Sequence, residues 1–289
     1  MVGCAHLLLG RLTLAREHLD LALEHPRLGY DHLQDLLLGI DVGNMALNWK
    51  SFLLWQLGYP DQSYRYLREA LSTAQESGYS ISLAHSRNMA SMILSLCARN
   101  TTAAGQQIQA LRESSEIILP YRALADSLAG SEAMGRIQDE QALQQMRQGL
   151  ARYQTTGSGL GRAGQLLLLA RGYAQSGQVT AALATVDEAL AWMNTTGICS
   201  FESEARRLRG ELLLQDQPLR ENALDAAETC FRQAIAVARR QEARWWELRA
   251  TVSLCRLLKE HDATPRESRA AARETVSYTH LTLPTSDLV

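Results

Sequence analysis

The chain has 289 residues, a formal net charge of -2, 46% hydrophobic and 21% charged residues, so it is too apolar for a disordered polymer. Acids and bases are interspersed, which excludes the basic footprint of a nucleic-acid binder. No uncharged apolar run is long enough for a bilayer, and the start MVGCAHLLLGRL lacks the basic leading segment of a signal peptide. Leu, Ala, Gln, Glu and Arg dominate over the strand-forming residues, so the expected elements are helices. Cys4, Cys97, Cys199, Cys230 and Cys255 are odd in number and widely spaced, which fits reduced thiols in the cytoplasm.

Along the chain one pattern recurs: a small residue, a large apolar residue four later, and a small residue three after that. It reads Ala15/Leu19/Ala22, Ser63/Leu67/Ala70, Ala142/Met146/Gly149, Ala182/Val186/Ala189 and Ala227/Phe231/Ala234, with a weaker copy at Ala104/Ile108/Leu111. Positions i, i+4 and i+7 share one helix face, and small residues there let a second helix approach closely. A repeat of about 40 residues fits one helical hairpin per unit. The expected hairpins span residues 1–25, 41–77, 81–118, 120–155, 163–195 and 202–241, with an incomplete one from 244. Residues 26–40 form a longer connection, and the turn of the sixth unit swells around Pro218. In the second unit, Gly58 stops one helix and Pro60 opens the next. In the fifth, Leu169, Ala170 and Tyr173 precede a turn at Gly177. Gly3 and His6 precede Ala15 by the same offsets as Ala170 and Tyr173 precede Ala182, so Met1 is expected inside the first helix of a hairpin. A further helix is expected from about Pro265.

The last fourteen residues, Val276–Val289, break this periodicity. The stretch VSYTHLTLPT resembles the translation of a transposase-based sequencing adapter, so 1–275 is expected to be the array and 276–289 a non-native tail.

Chemistry-bearing motifs are weak. Gly159, Gly161 and Gly164 match GxGxxG, but the dinucleotide mechanism needs a preceding strand, and residues 144–155 read as helix, so an inter-repeat turn is expected. His25, Asp31, His32 and Asp35 cluster in the long connection without metal-ligand spacing. No P-loop, GxSxG or Cys/His/Asn set appears, so no catalytic residue, metal or cofactor is assigned. Arg206, Arg207, Arg209, Arg239, Arg240, Arg244 and Arg249 are interleaved with glutamates, which predicts ion pairs on helix surfaces. Of Trp245 and Trp246, one is expected between hairpins and the other exposed.

The Leu169–Ala189 pattern resembles the tetratricopeptide repeat. The stretches LWQLGYPDQSYRYLREALSTAQESG (54–78), RRLRGELLLQ (206–215) and ETCFRQAIAVARRQEARWWELRATVSLCRLLKE (228–260) resemble the C-terminal helical-repeat region of bacterial multidomain signalling ATPases. Those proteins carry a cyclase or winged-helix domain, a STAND-type nucleotide-binding domain and then such an array; the resemblance covers about residues 1–272, and units three and four depart most from it. It implies an all-α, right-handed solenoid of about six to seven hairpins with a sensor or regulatory role in signal transduction. The alternatives are a stand-alone assembly scaffold or an all-helical enzyme. A protein, peptide or small-molecule effector would bind the concave face, without nucleic-acid or membrane contact by this region. By the family's register the inward residues include Asn48, Phe52, Trp55, Met89, Ile93, Ser127, Ser131, Arg171, Arg207 and Glu211. Phe52 and Trp55, three apart on one helix face, would either anchor an apolar partner group or merely cover the next hairpin; Arg171 and Arg207 would hold an acidic group.

Overall fold

A computed structural model describes residues 1–25, 41–98, 101–134, 139–216 and 221–260. The expected long connection at 26–40, the adapter-like tail and the helix expected from Pro265 lie outside the described residues. Within them the fold is all-α: α1 (Val2–Leu8), α2 (Leu12–Glu24), α3 (Val42–Gln56), α4 (Pro60–Ser77), α5 (Ser80–Met92), a π-helical turn (Ile93–Ala98), α6 (Thr101–Ser114), α7 (Leu119–Ala133), α8 (Asp139–Thr155), α9 (Arg162–Gln175), α10 (Val179–Thr196), α11 (Glu202–Asp216), α12 (Glu221–Gln241) and α13 (Arg244–Glu260). Consecutive helices pair as hairpins, α1/α2 through α11/α12, and stack into a solenoid on which α13 packs last.

The turns follow from local chemistry. Asp41 caps α3, its carboxylate accepting from the Asn44 N–H at 2.9 Å. Gly58 and Gly177 adopt φ of +88° and +77°, the left-handed conformation that ends a helix without Cβ strain. Pro60 then opens α4, where its missing N–H costs nothing. The third unit lacks a turn glycine, and there α5 widens into the π turn before residue 99.

The small–large–small positions form the hairpin seams. All are buried except Ala22, which lies exposed near the end of α2. The approach is closest where glycine replaces alanine. A Cβ on Gly149 would stand 2.5 Å from the Ser127 nitrogen and 2.8 Å from the Ala123 carbonyl oxygen, so α7 and α8 touch backbone to backbone. Gly210 of α11 leaves room for the Phe231 ring of α12 in the same way. Burying a Phe ring like that of Phe231 stabilises by about 1.5–3 kcal/mol, before the entropy of ordering it.

The two ends of the array meet. The Cys199 N–H donates to the Leu8 carbonyl at 2.8 Å, and the Thr13 hydroxyl donates to Glu242 at 2.9 Å. Trp55 of α3 packs edge-on against Trp245 of α13, ring centres 5.3 Å apart, and Phe52 tilts against Phe201 at 5.5 Å. Arg249 of α13 donates to the Leu96 carbonyl in the π turn at 3.4 Å. The solenoid therefore closes on itself, and the first helices of the hairpins converge on a shared interior. This is why α3 and α9 are buried along most of their length, on faces an open array would leave to solvent.

Candidate binding surface

The inward residues divide into buried struts and cavity walls. Asn48 is fully buried; its amide donates to Ser86 Oγ and the Asn44 carbonyl, both at 2.9 Å, tying α3 to α5. Trp55, 4% exposed, is wedged edge-on against Tyr64 and Trp245. Ile93 and Ser127 are also buried. Asn48 and Trp55 are both buried, so helices already occupy the surface they would offer. Trp55 covers α13, the last described helix, at the far end of the array, not the next hairpin. Trp246 is buried, while Trp245 is half-buried against Trp55, so the expected exposed member of that pair is not exposed.

The arginines form ion pairs as expected: Arg209 with Asp187 at 2.8 Å on the surface, Arg206 with Glu202 at 2.8 Å half-buried, and Arg239 with the buried Glu247 at 2.7 Å. Arg207 departs from the expected surface position. It is 3% exposed and grips Glu204 with two donors at 2.8 Å. Arg171 and Arg249 reach the same carboxylate, at 2.5 and 3.0 Å, from α9 and α13. Arg207 also pairs with Glu211, which accepts from Ser253 Oγ at 3.0 Å. Burial alone would raise the Glu204 pKa, but Arg207, Arg249 and Arg171 outweigh it and hold the carboxyl below the usual range. A Glu followed by an Arg three residues later looks like a surface helix pair in sequence. Here that face of α11 is the inner one, so the pair is desolvated.

Beside this cluster opens a cleft of about 350 Å³, where Ser131 of α7, Arg171 and Gln175 of α9, and Glu211 and Gln215 of α11 converge. Three of the sequence-derived residues thus line one site: Ser131, Arg171 and Glu211. The Arg171 Nη2 is engaged by Glu204, while its buried Nε has no partner. Glu211 remains 38% exposed at the side chain, so the cleft offers an accessible acceptor. Phe52 and Met89 instead line a second, aromatic cavity. Sequence reasoning missed Glu204, the hub of the charge cluster, and most of that cavity's walls.

Gly159, Gly161 and Gly164 lie between and at the start of helices α8 and α9, with no strand before them. Among the described residues no three His, Cys, Asp or Glu side chains group as metal ligands, and no helix is long and apolar enough to cross a membrane. Asp31, His32 and Asp35 lie outside the described residues.

No family model matches the chain, and no curated protein matches it. Among solved structures it is similar to a Signal Transduction ATPase with Numerous Domains (STAND) protein with a tetratricopeptide repeat sensor from Pyrococcus horikoshii, at 13% identity and a TM-score of 0.47, over 93% of this chain and 40% of that one. The chain thus spans well under half the length of that structure.

Proposed function

We propose that the chain is the sensing or regulatory helical-repeat part of a bacterial signalling ATPase or transcriptional regulator, and that it works by binding. The convergence of Ser131, Arg171 and Glu211 on one cleft beside a buried charge hub carries this reading. The stretches at 54–78, 206–215 and 228–260, which resemble the repeat region of such ATPases, support it as well. A protein, peptide or small-molecule effector presenting a hydrogen-bond donor would meet the Glu211 carboxylate, with Ser131, Gln175 and Gln215 beside it. The ends of the array touch, so an occupant that wedges or draws together α7, α9 and α11 would shift the contacts at Leu8/Cys199 and Trp55/Trp245 and be felt at the array's ends. The proposal assigns the chain no bond-making step and places it in the cytoplasm.

Two experiments test this. The reading frame containing the chain is expected to encode a nucleotide-binding domain with a P-loop; a frame without one overturns the signalling-ATPase assignment and leaves the assembly-scaffold alternative. A thermal-shift screen of the chain against short peptides and metabolites should yield ligands whose stabilisation disappears in Ser131→Trp, which fills the cleft. Ligands indifferent to that substitution would refute the cleft as the recognition site.

A further inference from the structure

The aromatic cavity has a volume of about 440 Å³, inside the range of roughly 300–1,000 Å³ typical of small-molecule sites. Its wall is assembled from α1, α3, α5, α7, the end of α8 with the turn after it, and the residues before α11, so it lies where the first hairpin meets the entry to α11. Trp49, Phe52, Tyr121, Tyr153 and Phe201 supply ring faces, and no Asp, Glu, Lys or Arg lines it. A charged ligand would lose its hydration there with no charged side chain to replace it, whereas a flat uncharged one would stack. One wall residue carries an unsatisfied polar atom. His85 is 8% exposed, its Nδ1 lies 3.0 Å from the Tyr121 hydroxyl, and its buried Nε2 has no partner. A buried imidazole nitrogen without a hydrogen bond is left desolvated and unpaired, so a ligand that supplies the missing bond recovers that penalty.

We propose that this cavity is a second binding site, distinct from the charged cleft, which takes an uncharged aromatic or heteroaromatic small molecule through ring stacking and one hydrogen bond to His85 Nε2. Burial pushes the His85 pKa down to about 4, so the imidazole is neutral at physiological pH. When the Tyr121 hydroxyl donates to Nδ1, Nε2 carries the proton and offers it to a ligand carbonyl; the opposite tautomer accepts from a ligand hydroxyl or N–H. The site rests on the sensing reading only for its biological use: its occupancy can be measured with no knowledge of upstream domains or of the cleft's partner.

The test uses the whole chain and the neutral fluorophore 6-propionyl-2-dimethylaminonaphthalene, whose carbonyl can accept from Nε2–H. The expected result is saturable, blue-shifted binding of one fluorophore per chain. Ala5→Trp, which fills the cavity from an exposed lining position on α1, should weaken it at least tenfold. His85→Phe, which keeps the ring and removes the donor, should weaken it about three- to tenfold, the equivalent of one hydrogen bond. Arg232→Ala, an exposed position on α12 away from both cavities, should leave it unchanged. Absence of saturable binding, or binding indifferent to both Ala5→Trp and His85→Phe, overturns the proposal. So do dimers that dissociate as the fluorophore binds, since a second copy would then be the occupant. If His85→Phe fails to fold, the Nε2 resonance of isotopically labelled wild-type chain decides the matter: it should move on addition of the fluorophore, and an unmoved resonance refutes the site. Failure here leaves the cleft proposal standing, because the Ser131→Trp screen reads a different cavity.

Discussion

Replacing Glu204 by Gln tests whether the interior charge cluster holds the array closed. In the wild type, three guanidiniums from α9, α11 and α13 converge on one carboxylate that is 1% exposed. The amide keeps the shape but removes the negative charge, leaving Arg171, Arg207 and Arg249 facing one another, with Glu211 still paired to Arg207. Breaking a buried ion pair by removing one partner typically costs about 3–5 kcal/mol. For domains of 150–250 residues each kcal/mol shifts Tm by roughly 2–4 °C, so a loss of at least about 6 °C is expected by differential scanning calorimetry. Because the cluster joins successive first helices, the loss should come with broadening as α13 detaches before the rest. The cost should be non-additive: with Arg249 already replaced by Met, Glu204→Gln should cost less than it does alone. A Tm change within about 1 °C would refute the buried cluster, since such a value is typical of a surface pair.

Other perturbations probe the seams and the cavity wall. Gly149→Ala should push α7 and α8 apart and destabilise by about 1–3 kcal/mol in urea unfolding; a midpoint equal to the parent's would contradict the backbone contact at Ser127 and Ala123. The depressed His85 pKa makes folding oppose protonation: the unfolded chain takes up a proton near pH 6.5 and the folded chain only near 4. Wild-type stability should therefore fall relative to His85→Phe as pH drops from 6.5 to 4, by up to about 3 kcal/mol, and parallel pH profiles would contradict the burial of that imidazole. Deleting residues 276–289, whose sequence carries no helical period, should leave Tm unchanged; a fall of several degrees would count against the adapter reading of the tail.

The hairpins were legible because helix pairing is a local affair. Ala182, Val186 and Ala189 announce a seam by spacing alone, and Gly58 with Pro60 announces a turn by backbone chemistry. The closure of the array was not legible, because it depends on small rotations summed over many units, which no single repeat encodes. That one global fact reassigns several residues. Trp55 looks like an interface anchor when the far end of the array is unknown, and it becomes a strut once Trp245 stands beside it. Arg207 looks solvated by the ordinary statistics of i, i+3 pairs, and becomes buried once α13 covers it. The cavity around His85 draws Ala5, Trp49, Tyr121 and Phe201 from distant parts of the chain, so no spacing rule could have gathered them. Ser131, Arg171 and Glu211 share one cleft, but the register that lists them as inward says nothing of how crowded the inside is.

The measurement closest to the centre of this account is the distance between the array's ends in solution. Donor and acceptor dyes carried on non-canonical residues at Leu14 and Arg240, exposed positions flanking the Thr13–Glu242 hydrogen bond, would report it without disturbing that bond. Near-complete energy transfer in the isolated chain, lost in denaturant and diminished in Glu204→Gln, is the predicted result; transfer no greater in the native chain than in the denatured one would contradict closure and, with it, the cavities that closure builds.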